Sequence, residues 1–94
     1  MIYLFIHEKV EGFDKWKKVF DDNSQIRQGL DSQGGELFRN SSNPNELVII
    51  TKWNDLESAK KFAGSDELKN TMQKAGVTGR PEMYFLEKVE EFTH

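Results

Sequence analysis

The strands legible in this sequence are apolar on both faces, and that property restricts the possible folds more than any other. Residues 2–10 (IYLFIHEKV) are rich in β-branched and aromatic side chains, contain no Gly or Pro, and are short enough for one strand. Alternation points Ile2, Leu4 and Ile6 one way and Tyr3, Phe5 and His7 the other. In residues 46–53 (ELVIITKW), Leu47 and Ile49 oppose Val48 and Ile50; in residues 82–89, Met83 and Phe85 oppose Tyr84 and Leu86. A sheet with helices on one face and water on the other should alternate apolar with polar residues. These strands do not, so one sheet face needs a cover that the helices of this chain cannot supply.

The remaining elements are read from periodicity and punctuation. After Glu11-Gly12, Trp16, Val19, Phe20, Ile26 and Leu30 recur at steps of three and four, which predicts an amphipathic helix over residues 13–29. Gly34-Gly35 open a strand at 36–41, and Ser42-Asn43-Pro44-Asn45 reads as the turn of a hairpin with strand 46–53. Asn54 and Glu57 have capping-box spacing ahead of Leu56, Ala59, Phe62 and Ala63. Gly64 ends that helix, and Ser65-Asp66-Glu67 restart a helical pattern carrying Leu68, Met72 and Ala75. Residues 76–81 form a loop before the last strand.

The order β-α-β-β-α-β, with strands one and three paired centrally and right-handed crossovers, gives a ferredoxin-like plait. This is an α+β fold with an antiparallel four-stranded sheet and helices on one face. Residues 1–94 read as one domain, since a chain of this length has surface to bury for one core and not for two. About six apolar side chains on the uncovered face make a patch near 600 Å², at the upper limit for a soluble monomer. The expectation is a homodimer packed sheet to sheet through that open face, its interface self-complementary about a two-fold axis. The alternative is a C-terminal tail, residues 89–94, folded over the sheet; Glu87, Glu90 and Glu91 around Phe92 make it a poor apolar lid.

Composition narrows the chemistry. No Cys excludes disulfides and thiolate catalysis, and two His without neighbouring ligand spacing argue against a metal site. A net charge of -3 argues against nucleic acid as a partner. The longest apolar run, residues 47–50, is far too short to span a bilayer, and the first residues carry no basic region or cleavage site, so a cytoplasmic protein is expected. Gly34-Gly35 and Gly76-x-x-Gly79 lack the context of phosphate-binding loops, and no nucleophilic elbow is present.

His7, at the end of an apolar strand beside Tyr3 and Phe5, is the candidate catalytic residue. It reads either as a general base, an anion-binding group or a partner for an enol oxygen, or as a buried histidine hydrogen-bonded to a main-chain carbonyl or a partly exposed strand-end residue. Trp16 and Trp53 read as core, with Trp53 packed at the rim. Asn23 and Arg27, four apart, flank the Trp16 and Phe20 stripe and could reach over a pocket between helix one and the sheet, or lie on a solvated face. Arg39 and Arg80 read as carboxylate clamps or as ordinary surface charges.

The element order, the two-faced strands and residues 49–68 (IITKWNDLESAKKFAGSDEL), with a strand ending in Trp and a helix ending near Ser-Asp, resemble the antibiotic-biosynthesis-monooxygenase-like (ABM-like) dimeric α+β barrel superfamily. The resemblance covers nearly the whole chain and implies fold and dimer more than reaction. It implies a small pocket protein without cofactor: a cofactor-independent monooxygenase, isomerase or cyclase acting on an aromatic or polyketide-like molecule. In that reading His7 would be the base, Phe5, Trp16, Phe20, Phe62 and Met72 the apolar walls, and Asn23 or Arg27 the groups that orient a polar substituent. The alternative is a non-catalytic dimeric ligand-binding or stress-related module. Carried over from the haem-degrading branch, an Asn, a Trp and an axial His fall at His7, Phe62 and Met72. Phe62 has no indole N–H and Met72 no imidazole, which argues against haem degradation.

Overall fold

In the computed structural model, which describes residues 1–29 and 32–94, the order is β1 (Ile2–Val10), α1 (Phe13–Asp22), α2 (Ser24–Gly29), β2 (Ser32–Asn40), β3 (Asn43–Trp53), α3 (Leu56–Ala63), α4 (Asp66–Ala75) and β4 (Val77–Glu87). The strands form one antiparallel sheet in the order β2-β3-β1-β4. The expected plait, with β1 and β3 at its centre, is what the chain adopts. No described helix is long and apolar enough to cross a membrane.

Register fixes which side chains face the helices. Leu4 pairs with Thr51, Ile6 with Ile49 and Glu8 with Leu47, and all six are buried beneath the helices. Leu4, Leu47 and Trp53 are completely buried; burial of a side chain of this size stabilises by about 1.5–3 kcal/mol. Trp53 therefore lies within the core and not at its rim, its indole N–H donating to Thr51 Oγ1 at 2.8 Å. The opposite face carries Tyr3, Phe5, His7, Val48 and Ile50 half-buried, with Phe38, Tyr84 and Leu86 exposed. Phe5 and Tyr84 meet across β1 and β4 with ring centroids 5.9 Å apart. Val89 is 95% and Phe92 79% exposed, so neither side chain forms a lid over this face.

Several boundaries depart from the sequence reading. The single helix expected over residues 13–29 is broken at Asn23, whose side-chain amide donates to Val19 O at 2.8 Å and competes with the main-chain ladder. Of the apolar stripe read there, Leu30 and the side chain of Ile26 lie outside the described residues. The hairpin turn is tighter, at Ser41-Ser42, because Asn40 pairs with Asn43 and Pro44 is tolerated at an irregular strand start. Strand β2 begins at Ser32, ahead of the glycines. At Gly35 a Cβ would lie 2.1 Å from Ile50 O, so the backbones approach too closely there for any side chain. Asp55, not Asn54, caps α3 by accepting Ser58 N–H at 2.7 Å, and Ser65 caps α4 through Leu68 N–H. Gly76 ends α4 in the left-handed conformation at φ 81°, after which β4 starts at Val77 directly instead of after a loop.

Candidate active site

One aromatic column holds the first helix pair to the sheet. Phe13, Trp16 and Phe20 recur at helical spacing on α1, with ring centroids 6.2 and 4.9 Å apart. Guanidinium groups cover both ends: Arg39 of β2 lies 4.6 Å from the Phe13 ring and Arg27 of α2 lies 3.8 Å from the Phe20 ring. The break at Asn23 makes the second contact possible. It leaves Phe20 O at the end of α1 to accept Arg27 Nη1–H at 2.8 Å, a cation satisfying a helix C-terminal carbonyl. Arg39 therefore sits against an aromatic ring.

Between this column, α4 and the sheet lies a cavity of about 70 Å³. Ile6, Ile49 and Thr51 form its floor, Trp16, Phe20, Phe62 and Met72 its walls, and Asn23, Arg27 and Glu67 border it. Six of the residues singled out from sequence, Trp16, Phe20, Asn23, Arg27, Phe62 and Met72, are thus brought together. The volume is about half that of an apolar cavity that accepts benzene (~150 Å³) and well below the ~300 Å³ lower end of ordinary ligand pockets. A ring enters only if a wall moves. Met72, long, unbranched and half-buried, is the wall best able to move, since Arg27 is held by Phe20 O and the Phe20 ring.

His7 and Phe5 stand on the other side of the sheet. The His7 ring lies between two carboxylates, Nδ1 3.1 Å from Glu82 Oε1 and Nε2 3.1 Å from Glu46 Oε2. These hydrogen bonds hold its pKa above the ordinary histidine value, and Glu46 and Glu82 are held below the ordinary carboxylate value by the same contacts. Both ring nitrogens face carboxylate side chains, not a main-chain carbonyl, and the ring is partly exposed.

The cavity contains a different titratable group. Glu8 is 4% exposed, and Trp16 Nε1–H donates to its Oε1 at 2.9 Å. Its Oε2 is buried and accepts no hydrogen bond among the described residues. Burial pushes the carboxyl up to about 7, against the Trp16 hydrogen bond and the nearby His7, which pull it down. The signal for Glu8 was available: it extends the Ile2, Leu4, Ile6 alternation by one step, so it must share their buried face. His7 and Glu8 differ by one position, which in a strand is the difference between two faces.

A larger groove of about 580 Å³ runs between α4 and β4 past Lys69, Met72, Arg80 and Met83, open to solvent. It contains neither of the two buried polar residues of the described chain, Glu8 and Thr51. No group of three or more potential metal ligands occurs among the described residues.

Comparison with known proteins agrees with this architecture. The family model for antibiotic biosynthesis monooxygenase matches residues 32–74. A comparison with curated proteins found no match. Among solved structures, SnoaB, a cofactor-independent oxygenase from Streptomyces nogalater, superposes with a TM-score of 0.80 at 14% identity, over 99% of this chain and 97% of its own. An antibiotic biosynthesis monooxygenase superposes with 0.75 at 12% identity, over 96% and 100%. Rv0793 from Mycobacterium tuberculosis superposes with 0.69 at 14% identity, over 99% and 100%. The fold is shared end to end with these proteins, and the ABM-like resemblance read from the sequence stands.

Proposed function

We propose that this ABM-like chain is a cofactor-independent oxygenase that acts on a small, electron-rich hydroxyaromatic or enolisable compound in the cavity between helices and sheet. The observation that carries the reading is the placement of one buried carboxyl inside an aromatic-walled cavity, on a fold shared with a cofactor-independent oxygenase. Chemistry of that kind needs a substrate that is itself the reductant. Loss of a hydroxyl proton makes the ring electron-rich enough to reduce dioxygen. A ring C–H carbon then becomes C=O, one oxygen atom stays in the product and the other leaves as water, with all four electrons taken from the substrate.

The protein supplies position, an apolar surrounding and a proton acceptor. The narrow cavity favours a single ring over fused rings, which would have to displace Phe62 and Phe20 as well as Met72. Arg27 and Asn23 at the border orient a polar substituent pointing outward. The working unit is a homodimer packed through the open sheet face, which carries Tyr3, Phe5, Val48, Ile50, Tyr84 and Leu86.

The test is dioxygen consumption with a panel of single-ring and fused-ring hydroxyaromatics under labelled dioxygen. Uptake matched to quinone formation, with one labelled atom per product and preference for single rings, is expected. Saturable binding across the panel without uptake would instead establish the non-catalytic ligand-binding module.

A further inference from the structure

We infer that Glu8 is the proton acceptor of this site, taking the hydroxyl proton of a neutral single-ring phenol or enol at Oε2, with Trp16 as the residue that positions it. The inference rests on the cavity being the substrate site, and it names the group and the charge state of the substrate. Three observations support it. Glu8 is buried and lines the cavity, one of its oxygens is fixed by the Trp16 indole, and the other is buried and accepts no hydrogen bond among the described residues. A buried carboxylate oxygen left unpaired is costly, and a ligand O–H is the group that would satisfy it.

The step is a plain proton transfer. The substrate O–H bond breaks, an O–H bond forms on Oε2, and the electron pair stays on the substrate oxygen. Negative charge moves from Glu8 to the substrate, and the Trp16 N–H keeps its place on Oε1. No oxidant or reductant takes part. Once Glu8 is ionised, the same geometry favours a neutral substrate, because a substrate carboxylate would meet the Glu8 carboxylate at the same cavity. The charged groups on the elements packed around Glu8 include Arg27 from α2 and Glu67 from α4, both bordering the cavity, Arg39 of β2 on the same sheet face, and His7 on the reverse face of β1.

The test uses 4-methylphenol and toluene as probes, titrated calorimetrically into the intact protein between pH 6 and 8. A phenol ionises near 10, so neither probe changes charge in this range. Wild type is expected to bind 4-methylphenol about fivefold more tightly at pH 8 than at pH 6, because a carboxylate accepts the O–H more strongly than a neutral acid. Toluene is expected to bind equally at both. In Glu8→Gln the rise disappears. In Trp16→Phe, which keeps the ring and removes the donor, the rise moves to higher pH. A flat 4-methylphenol profile in wild type, a rise that persists in Glu8→Gln, or an unmoved midpoint in Trp16→Phe would each overturn the assignment. The outcome is separable from oxygenation: the pH-dependent profile without dioxygen uptake supports the Glu8 site and overturns oxygenation, and uptake with a flat profile does the reverse.

Discussion

Glu8, which lines the apolar cavity, receives the Trp16 indole N–H on one oxygen at 2.9 Å and keeps the other buried, with no hydrogen bond to it among the described residues. The two residues come from different layers, β1 of the sheet and α1 above it. Folding itself brings them together. The hydrogen bond fixes the carboxyl orientation while burial makes its charged form expensive, and the two effects leave an acid that changes state near neutral pH.

The first prediction concerns stability. Glu8 keeps its proton in the folded chain up to about pH 7, whereas an unfolded glutamate loses it near 4.5. Below 4.5 both states are protonated and the neutral acid is tolerated. Between 4.5 and 7 only the unfolded chain has released the proton, so stability falls as pH rises, by on the order of 3 kcal/mol in total. Thermal or urea unfolding across this range should show the fall in wild type, and Glu8→Gln should remove most of it.

His7 acts in a neighbouring window. Its pKa is raised by Glu46 and Glu82, so the stabilisation it provides is complete below 6.5 and is lost as pH rises through the raised value. His7→Gln should remove the His7 part of the fall above pH 6.5 and leave the Glu8 fall, between 4.5 and about 7, in place. Because His7 stands outside the cavity, 4-methylphenol binding should persist in this variant.

At Gly35 the prediction is steric. The close approach to Ile50 O and Thr51 Cα leaves no room for a methyl group, and both obstacles are backbone. Gly35→Ala should destabilise by about 2 kcal/mol or more in urea unfolding, since β2 must shift away from β3 to admit it.

The open face gives a fourth expectation. Tyr84 is 51% and Leu86 42% exposed, and they continue an apolar surface with Phe5 and Ile50. Sedimentation at micromolar concentration should give a dimer for wild type and a monomer for Phe5→Glu, which sets a charge in the middle of the face. A wild-type monomer would remove the sheet-to-sheet assembly.

How much of this was written in the chain depends on the element. The plait followed from Ile2, Leu4 and Ile6 and from the two-faced strands, because a period of two leaves no freedom once one face is buried. The cavity walls followed from helical spacing: Trp16, Phe20, Asn23 and Arg27 lie along one side of the first helix pair. The break at Asn23 was less legible, since a single Asn in a helical pattern competes for the backbone only when its own amide finds Val19 O. The early start of β4 was hidden by Gly76 and Gly79, which resemble a loop in composition. Here they serve a helix end and a strand that joins β1 through an irregular register. Glu8 is less legible because a lone charge within an apolar strand belongs to no recognisable motif, although its parity with Ile6 places it inside. His7 has the residue type of a general base, and parity places it on the opposite face.

The most direct measurement is the titration of the Glu8 side-chain carboxyl by carbon-detected NMR on labelled protein. The account predicts a midpoint near pH 7 that rises further when Trp16 is replaced by Phe. A midpoint at the 4.5 of a solvated glutamate, unmoved by that substitution, would contradict it and leave the cavity without its acid–base group.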